Sequence, residues 1–412
     1  MKILCLRAYY EPEQTAGTHL MKDLEECIIS EHSIEYIVST PTRGVSDEVR
    51  RYYKRKRIEK KYNGKIVVKR FPMYKEGKSP VTRAIRYLCC GIAQIYLGSR
   101  SENIDLILSG STPPTIGVYC VVLGKILSKK QHKKIPIIYK IDDIFPDSLV
   151  QAGLTKEGSI IWKIGRRMED YIYKNTDILI VINQRMKDNL LRKGVLDTKI
   201  EVISNWIDFE NVVPVNKKQN RLFDELRISR EKYNILYAGN IGEAQGAEII
   251  IEVAKKLKDV DSINFVVFGG GANFIDFRNK ASDLDNIQVF DLMPLDRVSE
   301  VYSVADIALI TCKPGFGNIG MPSKTWSIMA CNKQIIASYD LNSVLESVIN
   351  ECNAGVVVEP GNTDALAHII LETFNNRFEE NNSTTNIREI AMKMASKDYC
   401  TGRYLDVINM FA

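Results

Sequence analysis

The sequence predicts an α/β protein built from two doubly wound parallel-sheet domains in tandem, and three observations carry that prediction. The chain has 412 residues, more than one ordinary core organises. Its composition, 45% apolar and 26% charged, is that of a folded chain and excludes a disordered or fibrous one. Short apolar runs alternate with amphipathic stretches along its whole length, as repeated βα units require.

In the first half the alternation reads KILCLRAYY, HLMKDLEECIISE, SIEYIVSTP, IVVKRFPM, DLILSGS, GVYCVVLGKILSKK, IPIIYKID and DILIVIN. MKILCLRAYY is read as a first buried strand, because its apolar stretch is too short for a signal peptide and Arg7 interrupts it. After KIEVISNWID comes a polar stretch, residues 211–230, with little periodicity, which marks the boundary. The alternation then resumes with YNILYAGNIG, GAEIIIEVAKKLKD, INFVVFGGG, NIQVFDLMP, a helix over 295–304, DIALITC, SKTWSIMA, KQIIASYD and GVVVEPG. The expected domains are 1–207 and 208–386, with a C-terminal helix over about 387–412 packing back on the first.

Charge divides unevenly between these halves. Residues 1–205 hold 36 Lys and Arg against 23 Asp and Glu, and residues 206–412 hold 20 against 28. Residues 50–70 alone carry eleven basic side chains, Arg55 and Arg57 among them, against the single acid Glu59. Such a run suits a polyanionic partner, a membrane surface or a nucleic acid. The following segment can place Ile85, Leu88, Cys89, Ile92 and Ile95 on one helical face flanked by Arg83 and Arg86, which favours an anionic membrane surface. No apolar run reaches the ~20 residues needed to span a bilayer. The nine cysteines are scattered, with no CxxC pair and no histidine at ligand spacing, so free thiols in a reducing cytoplasm and no metal site are expected.

In doubly wound sheets ligands bind beyond the carboxyl ends of the strands, and the informative loops lie there. The clearest runs Gly239-Asn240-Ile241-Gly242-Glu243-Ala244-Gln245-Gly246, where glycines let backbone N–H groups approach a phosphate. Gly269-Gly270-Gly271 ends the next strand on the same edge. Pro322-Ser323-Lys324 sets a cation at the start of the helix TWSIMA, a locally unfavourable placement that makes sense if an anion such as a diphosphate occupies the space between. In the first half, Gly17 in EPEQTAGT, Thr112 in the loop Ser111-Thr112-Pro113-Pro114, and the acids Asp142 and Asp143 of DDIFPD follow three further strands. One of the two aspartates can orient a sugar hydroxyl or act as a base, whereas neighbours in an extended segment point opposite ways and do not pair on a metal.

Taken as an ordered series, YAGNIGEAQG, the FGGG loop, ADIALI, MPSKTWSIMA, GVVVEPG, the N-terminal glycine loop, the STPP loop and IDDIFPDS resemble glycosyltransferase family 4. Within it the chain resembles the capsule and O-antigen transferases typified by the N-acetyl-L-fucosamine transferases. The resemblance covers almost the whole chain and implies the GT-B fold, two Rossmann-like domains facing across a cleft, and retaining transfer without metal or other cofactor. It implies a donor site of Gly17, Gly239, Asn240, Gly242, Gln245, Gly246, Gly270, Pro322, Ser323 and Ser327, with Met293 in the loop that holds the base and Lys324 charging the leaving phosphate. It implies Asp143 near the donor sugar and acceptor, with Thr112 and Asp142 on the acceptor side.

Two departures stand out against the family. Its usual Arg and Lys are replaced by Asn240 and Gln245, and its Glu-x7-Glu pair falls on Ile319 and Ser327, leaving the ribose contact unassigned. The implied partners are a UDP-sugar, a polyprenyl-diphosphate-linked acceptor and the inner face of the cell membrane, with no nucleic acid. An epimerase of the same fold is the alternative activity. Nucleic-acid binding through Tyr52, Tyr53 and Tyr62 is the alternative of another class, and it leaves the strand-end glycines unexplained.

Overall fold

A computed structural model describes residues 1–13, 17–75, 79–151, 153–317, 321–380 and 386–412. The chain divides into two units, Met1–Asn205 with Cys400–Ala412, and Trp206–Tyr399.

The first unit is built on eight strands: β1 (Lys2–Arg7), β2 (Ser33–Ser39), β3 (Ile58–Lys61), β4 (Ile66–Phe71), β5 (Leu106–Gly110), β6 (Ile137–Ile141), β7 (Ile178–Val181) and β8 (Ile200–Val202). They form one sheet in the order β3-β4-β2-β1-β5-β6-β7-β8. Its helices are α1 (Thr18–Glu31), α2 (Asp47–Arg55), α3 (Pro80–Gly98), α4 (Ile116–Gln131), α5 (Asp147–Gln151), α6 (Ile160–Asn175) and α7 (Gln184–Arg192). Ile3, Leu4, Leu6, Ile107, Ile138 and Leu179 are wholly buried, which is why the central strands read as unbroken apolar runs: both sheet faces are covered. The basic run resolves into the helix α2 and β3, the one antiparallel strand among the described residues, paired with β4 at the sheet's edge. Charged side chains are a common protection for an edge strand.

The second unit has six parallel strands, β9 (Tyr233–Asn240), β10 (Ile263–Gly270), β11 (Ile287–Asp291), β12 (Ile307–Thr311), β13 (Ile335–Ser338) and β14 (Gly355–Val358), in the order β11-β10-β9-β12-β13-β14. Around them lie α8 (Leu222–Glu225), α9 (Glu248–Lys256), α10 (Phe274–Ala281), α11 (Val298–Tyr302), α12 (Lys324–Ala330), α13 (Val344–Glu351), α14 (Thr363–Glu380) and α15 (Ile387–Ala395). Two apolar cores, one on each sheet face, are centred on Phe268, Ile310 and Met329 and on Phe265, Val267 and Ile250. Each such buried side chain contributes about 1.5–3 kcal/mol relative to exposure.

The C-terminal segment is two helices rather than one. Ile387, Ala391 and Ala395 of α15 join the second unit's core, and α16 (Lys397–Asn409) carries the chain into the first unit from Cys400 onward. There Cys400 and Tyr404 are buried, and Asn409 Oδ1 accepts from His32 Nε2 at 2.8 Å.

Strand order reverses between β1 and β5 in the first sheet and between β9 and β12 in the second. These are the switch points at which loops diverge and leave a crevice. The loops that follow β1, β5 and β9 are among those singled out from the sequence.

Candidate functional site

In the second unit, β9 and β10 run in register so that Gly239 pairs with Gly269 and Asn240 with Gly270. Both glycine turns therefore leave the sheet side by side. Ile241 N–H donates to the Gly270 carbonyl at 2.6 Å and the Ile241 carbonyl accepts from Asn273 N–H at 3.0 Å, which locks one turn to the other. Glycine is required here by contact. A Cβ on Gly271, at φ +115°, would lie 2.2 Å from Asn240 Oδ1, and one on Gly246, at φ +54°, 3.0 Å from the Lys313 backbone N. The amides of Asn240 and Gln245 bond to each other at 2.8 Å, and a Cβ on Gly242 would meet both. The far end of the turn is tied to β12, with Thr311 Oγ1 donating to the Gln245 carbonyl at 2.7 Å and Lys313 N–H to that of Ala244 at 3.0 Å.

Lys324, the first residue of α12, reaches back over this turn. Its Nζ lies 2.9 Å from the place a Gly239 Cβ would take and 3.9 Å from the centre of the Tyr237 ring. The side chain is half-buried by exposed area, yet its ammonium is enclosed enough that desolvation lowers its pKa to about 7. Among the described residues it forms no ion pair and no hydrogen bond. The neighbouring cation, Lys313, is by contrast neutralised by Glu243. An ammonium held against glycine backbone with no counter-charge is a receptor for an anion.

The remaining second-unit candidates lie around this core. Pro322 is half-buried and Ser323 exposed just before Lys324, and Ser327 is half-buried one turn into α12. Ile319 lies outside the described residues. The loop leading toward it is held by Asp340, whose carboxylate accepts from Gly315 N–H at 2.9 Å and Gly317 N–H at 2.7 Å. Met293 packs on the apolar core, and it is Leu292 that covers Gly270, 2.9 Å from its would-be Cβ.

In the first unit the ends of β5 and β6 meet through Asp142 N–H donating to Ser111 Oγ at 2.9 Å, with Thr112 exposed beside them. Asp142 is engaged in an ion pair with Lys140 at 2.8 Å. Asp143 is exposed and, among the described residues, forms neither hydrogen bond nor ion pair. Local desolvation, followed by the adjacent Asp142 charge, raises its carboxyl above the ordinary range. Gly17, the N-cap of α1, faces open space, with nothing within 4 Å of a Cβ placed there.

The structure corrects one expectation outright. Arg86 does not flank an exposed face of α3; it is fully buried, its guanidinium 5.0 Å from the Tyr9 ring and donating to Thr42 Oγ1 at 2.8 Å. The helix turns Arg86, Cys90 and Gln94 inward, four residues apart, and Ile85, Leu88, Cys89 and Ile92 outward. Ile95 is half-buried, and Tyr96 extends the outer stripe in its place. Arg55, Arg57 and Arg83 are exposed.

Three residues that sequence reasoning passed over also shape these loops: Tyr237, Asp340 and Glu13. Glu13, buried in the loop after β1, accepts the backbone N–H groups of Thr42 and Arg43 at 2.7 and 2.9 Å and so joins that loop to the one after β2. Glu13 has a local signal, an acid in the loop between β1 and Gly17, whereas Tyr237 reads as a core strand residue and Asp340 has no glycine beside it.

Comparison with known proteins shows the family. Residues 32–211 match the model of Glycosyltransferase Family 4, and residues 218–394 that of Glycosyl transferases group 1. WbjE of Pseudomonas aeruginosa, which carries the name of a glycosyltransferase, is 30% identical over 307 residues, 72% of this chain and 74% of its own. WcaI of Escherichia coli, named for glycosyl transfer in colanic acid biosynthesis, is 25% identical over 385 residues, 89% of this chain and 90% of its own. Among solved structures, Anabaena HepE in complex with UDP superposes with a TM-score of 0.69 at 13% identity, covering the whole of both chains. The chain belongs to the family 4 glycosyltransferases of the GT-B fold.

Proposed function

We propose that the chain is a retaining, metal-independent transferase that moves a sugar from a UDP-sugar to a polyprenyl-diphosphate-linked sugar during surface polysaccharide synthesis. The sugar in view is N-acetyl-L-fucosamine or a related N-acetylated deoxysugar. The observation that carries the donor part is Lys324, an uncompensated ammonium above the Gly239 turn. Departure of a nucleoside diphosphate builds negative charge on its terminal phosphate, and a pre-set cation in a desolvated site stabilises that charge as it forms. The UDP complex of HepE and the name of WcaI support the nucleotide and the pathway class. Asp143, a carboxylate without a hydrogen bond or ion pair among the described residues, is the group to orient the acceptor or the donor sugar.

The lipid part rests on surface chemistry. Ile85, Leu88 and Ile92 of α3 are 53%, 56% and 61% exposed, and Ile160, Ile161 and Ile164 of α6 are 60% to 78% exposed with Lys156, Lys163 and Arg167 exposed beside them. Arg51, Lys54, Arg55, Arg57 and Lys60 make no ion pair among the described residues. Exposed apolar side chains among free cations fit an anionic lipid surface, and peripheral attachment at the inner membrane face follows. No described helix is long and apolar enough to cross a membrane.

The test is an incubation of the full chain with UDP-sugars and a polyprenyl-diphosphate-linked acceptor in the presence of EDTA, with the product's anomeric configuration read by NMR. Retention of the donor configuration with undiminished turnover supports the reading. Inversion, metal dependence, or donor rearrangement without transfer contradicts it. Vesicle flotation tests the lipid part: the chain should float with anionic vesicles and stay behind with neutral ones, and equal partition would remove the electrostatic attachment.

A further inference from the structure

We infer that Tyr237 is a positioning residue for the transfer: its ring carries the Lys324 ammonium where a carboxylate would otherwise stand, and its hydroxyl fixes the Asn240 carbonyl that opens the glycine turn. The inference rests on Lys324 being the group that meets the donor diphosphate.

Tyr237 sits on β9 two residues before Gly239, so the alternation of a strand places both on one face. The ring is wholly buried and lies beneath the space that a missing Gly239 side chain leaves open. Lys324 Nζ fills that space, 3.9 Å from the ring centre. A desolvated cation–π contact of this kind holds a cation without cancelling its charge. An aspartate or glutamate in the same place would hold the ammonium more firmly and neutralise it, leaving nothing to answer a departing diphosphate. The ring resolves that conflict.

The other end of the same side chain serves the turn. Tyr237 Oη donates to the Asn240 carbonyl at 2.7 Å, and Thr311 Oγ1 donates to the Gln245 carbonyl at 2.7 Å. Hydroxyls from two neighbouring strands thus pin the two ends of the turn across which Asn240 and Gln245 bond. One buried tyrosine sets the cation and the backbone of the anion site relative to each other.

The groups that bear on this pair are few. Thr311 faces the Tyr237 hydroxyl, and Glu248 at the start of α9 raises its pKa after burial does. Desolvation lowers the Lys324 ammonium's pKa, so a ring series that leaves burial in place separates the ring's charge distribution from a change in desolvation.

The test measures UDP binding to the full chain by calorimetry between pH 7 and 9, in wild type, Tyr237→Phe and Tyr237→Leu. In wild type, affinity should fall as pH rises above about 7, because free Lys324 loses its proton there. Tyr237→Phe should keep that pH limb while binding a fewfold more weakly, its turn untied. Tyr237→Leu should move the limb to lower pH and weaken binding about 10-fold at pH 7, the scale of one lost cation–π contact. Fluorinated phenylalanines at position 237 keep the ring's shape while draining its negative face, and should move the limb downward step by step. The same limb in the phenylalanine, leucine and fluorinated variants would overturn the inference. Loss of pH dependence in Lys324→Ala with an unchanged limb in the Tyr237 series would overturn this inference alone, whereas wild-type UDP binding in Lys324→Ala would overturn the reading beneath it.

Discussion

The two units treat charge at their strand ends in opposite ways. Among the described residues, the glycine turn after β9 has a cation without an anionic partner, Lys324, while Lys313 is paired with Glu243. Among them too, the segment after β6 has an unpaired anion, Asp143, while Asp142 is tied to Lys140. In each case adjacent like residues are divided into one that holds the loop and one left free to act. Burial lowers the lysine's pKa and raises the aspartate's, so both free groups are less willing to stay charged than in water. Their chemistry differs accordingly: one answers charge on a departing phosphate, the other directs a hydroxyl or a sugar.

That contrast can be broken at its strongest point first. Lys324→Ala should cut kcat by roughly 100-fold or more, the scale of losing one oriented charge donor, and steady-state assay of sugar transfer checks it. Turnover within a fewfold of wild type would remove the lysine from the chemistry. Next in size, Asp143→Asn should lower kcat by about 10-fold to 100-fold, a typical contribution from a positioned carboxylate. Asp142→Asn should instead act chiefly on stability, because its carboxylate is spent on Lys140. Reversal of that order, with Asp142 the larger kinetic loss, would assign the working acid to the wrong neighbour.

The smallest expected effect sharpens the second-unit side. Gly246 combines a positive φ with a backbone neighbour 3.0 Å from a Cβ, so Gly246→Ala should cost about 1–2 kcal/mol in chemical denaturation and weaken UDP binding with it. Gly17→Ala, where a Cβ meets open space at φ −100°, should leave stability unchanged. Equal losses at the two glycines would show that the glycine turn is not specially constrained.

Much of this was legible from residue order alone, for identifiable reasons. The βα alternation gave two sheets because buried parallel strands must be apolar on both faces, and the glycines after β9 and β10 marked the ligand edge because backbone must pass close there. Lys324 was conspicuous as a cation at a helix start. Arg86 misled, since helical spacing groups residues onto faces without saying which face is inward. On α3 the polar face with Arg86 and Gln94 goes into the protein, and the isoleucines and leucine go out. Tyr237 was invisible for a related reason: in NILYA it reads as one more core residue, and its contact with Lys324 joins positions 87 apart in sequence. Asp340 likewise acts on Gly315 and Gly317 from the next strand's end, a relation set by sheet order and not by local pattern. The C-terminal segment was read as one helix, but the break at Ser396 lets its first helix join the core of the second unit.

The central claim is that Lys324 is an uncompensated ammonium set to receive a diphosphate, and UDP affinity as a function of pH tests it most directly. Wild type should lose affinity as pH rises above about 7, by up to 10-fold per unit, because the free protein must then take up a proton to bind. Lys324→Met should bind weakly at every pH and show no such slope. Identical pH profiles in the two proteins would contradict the account.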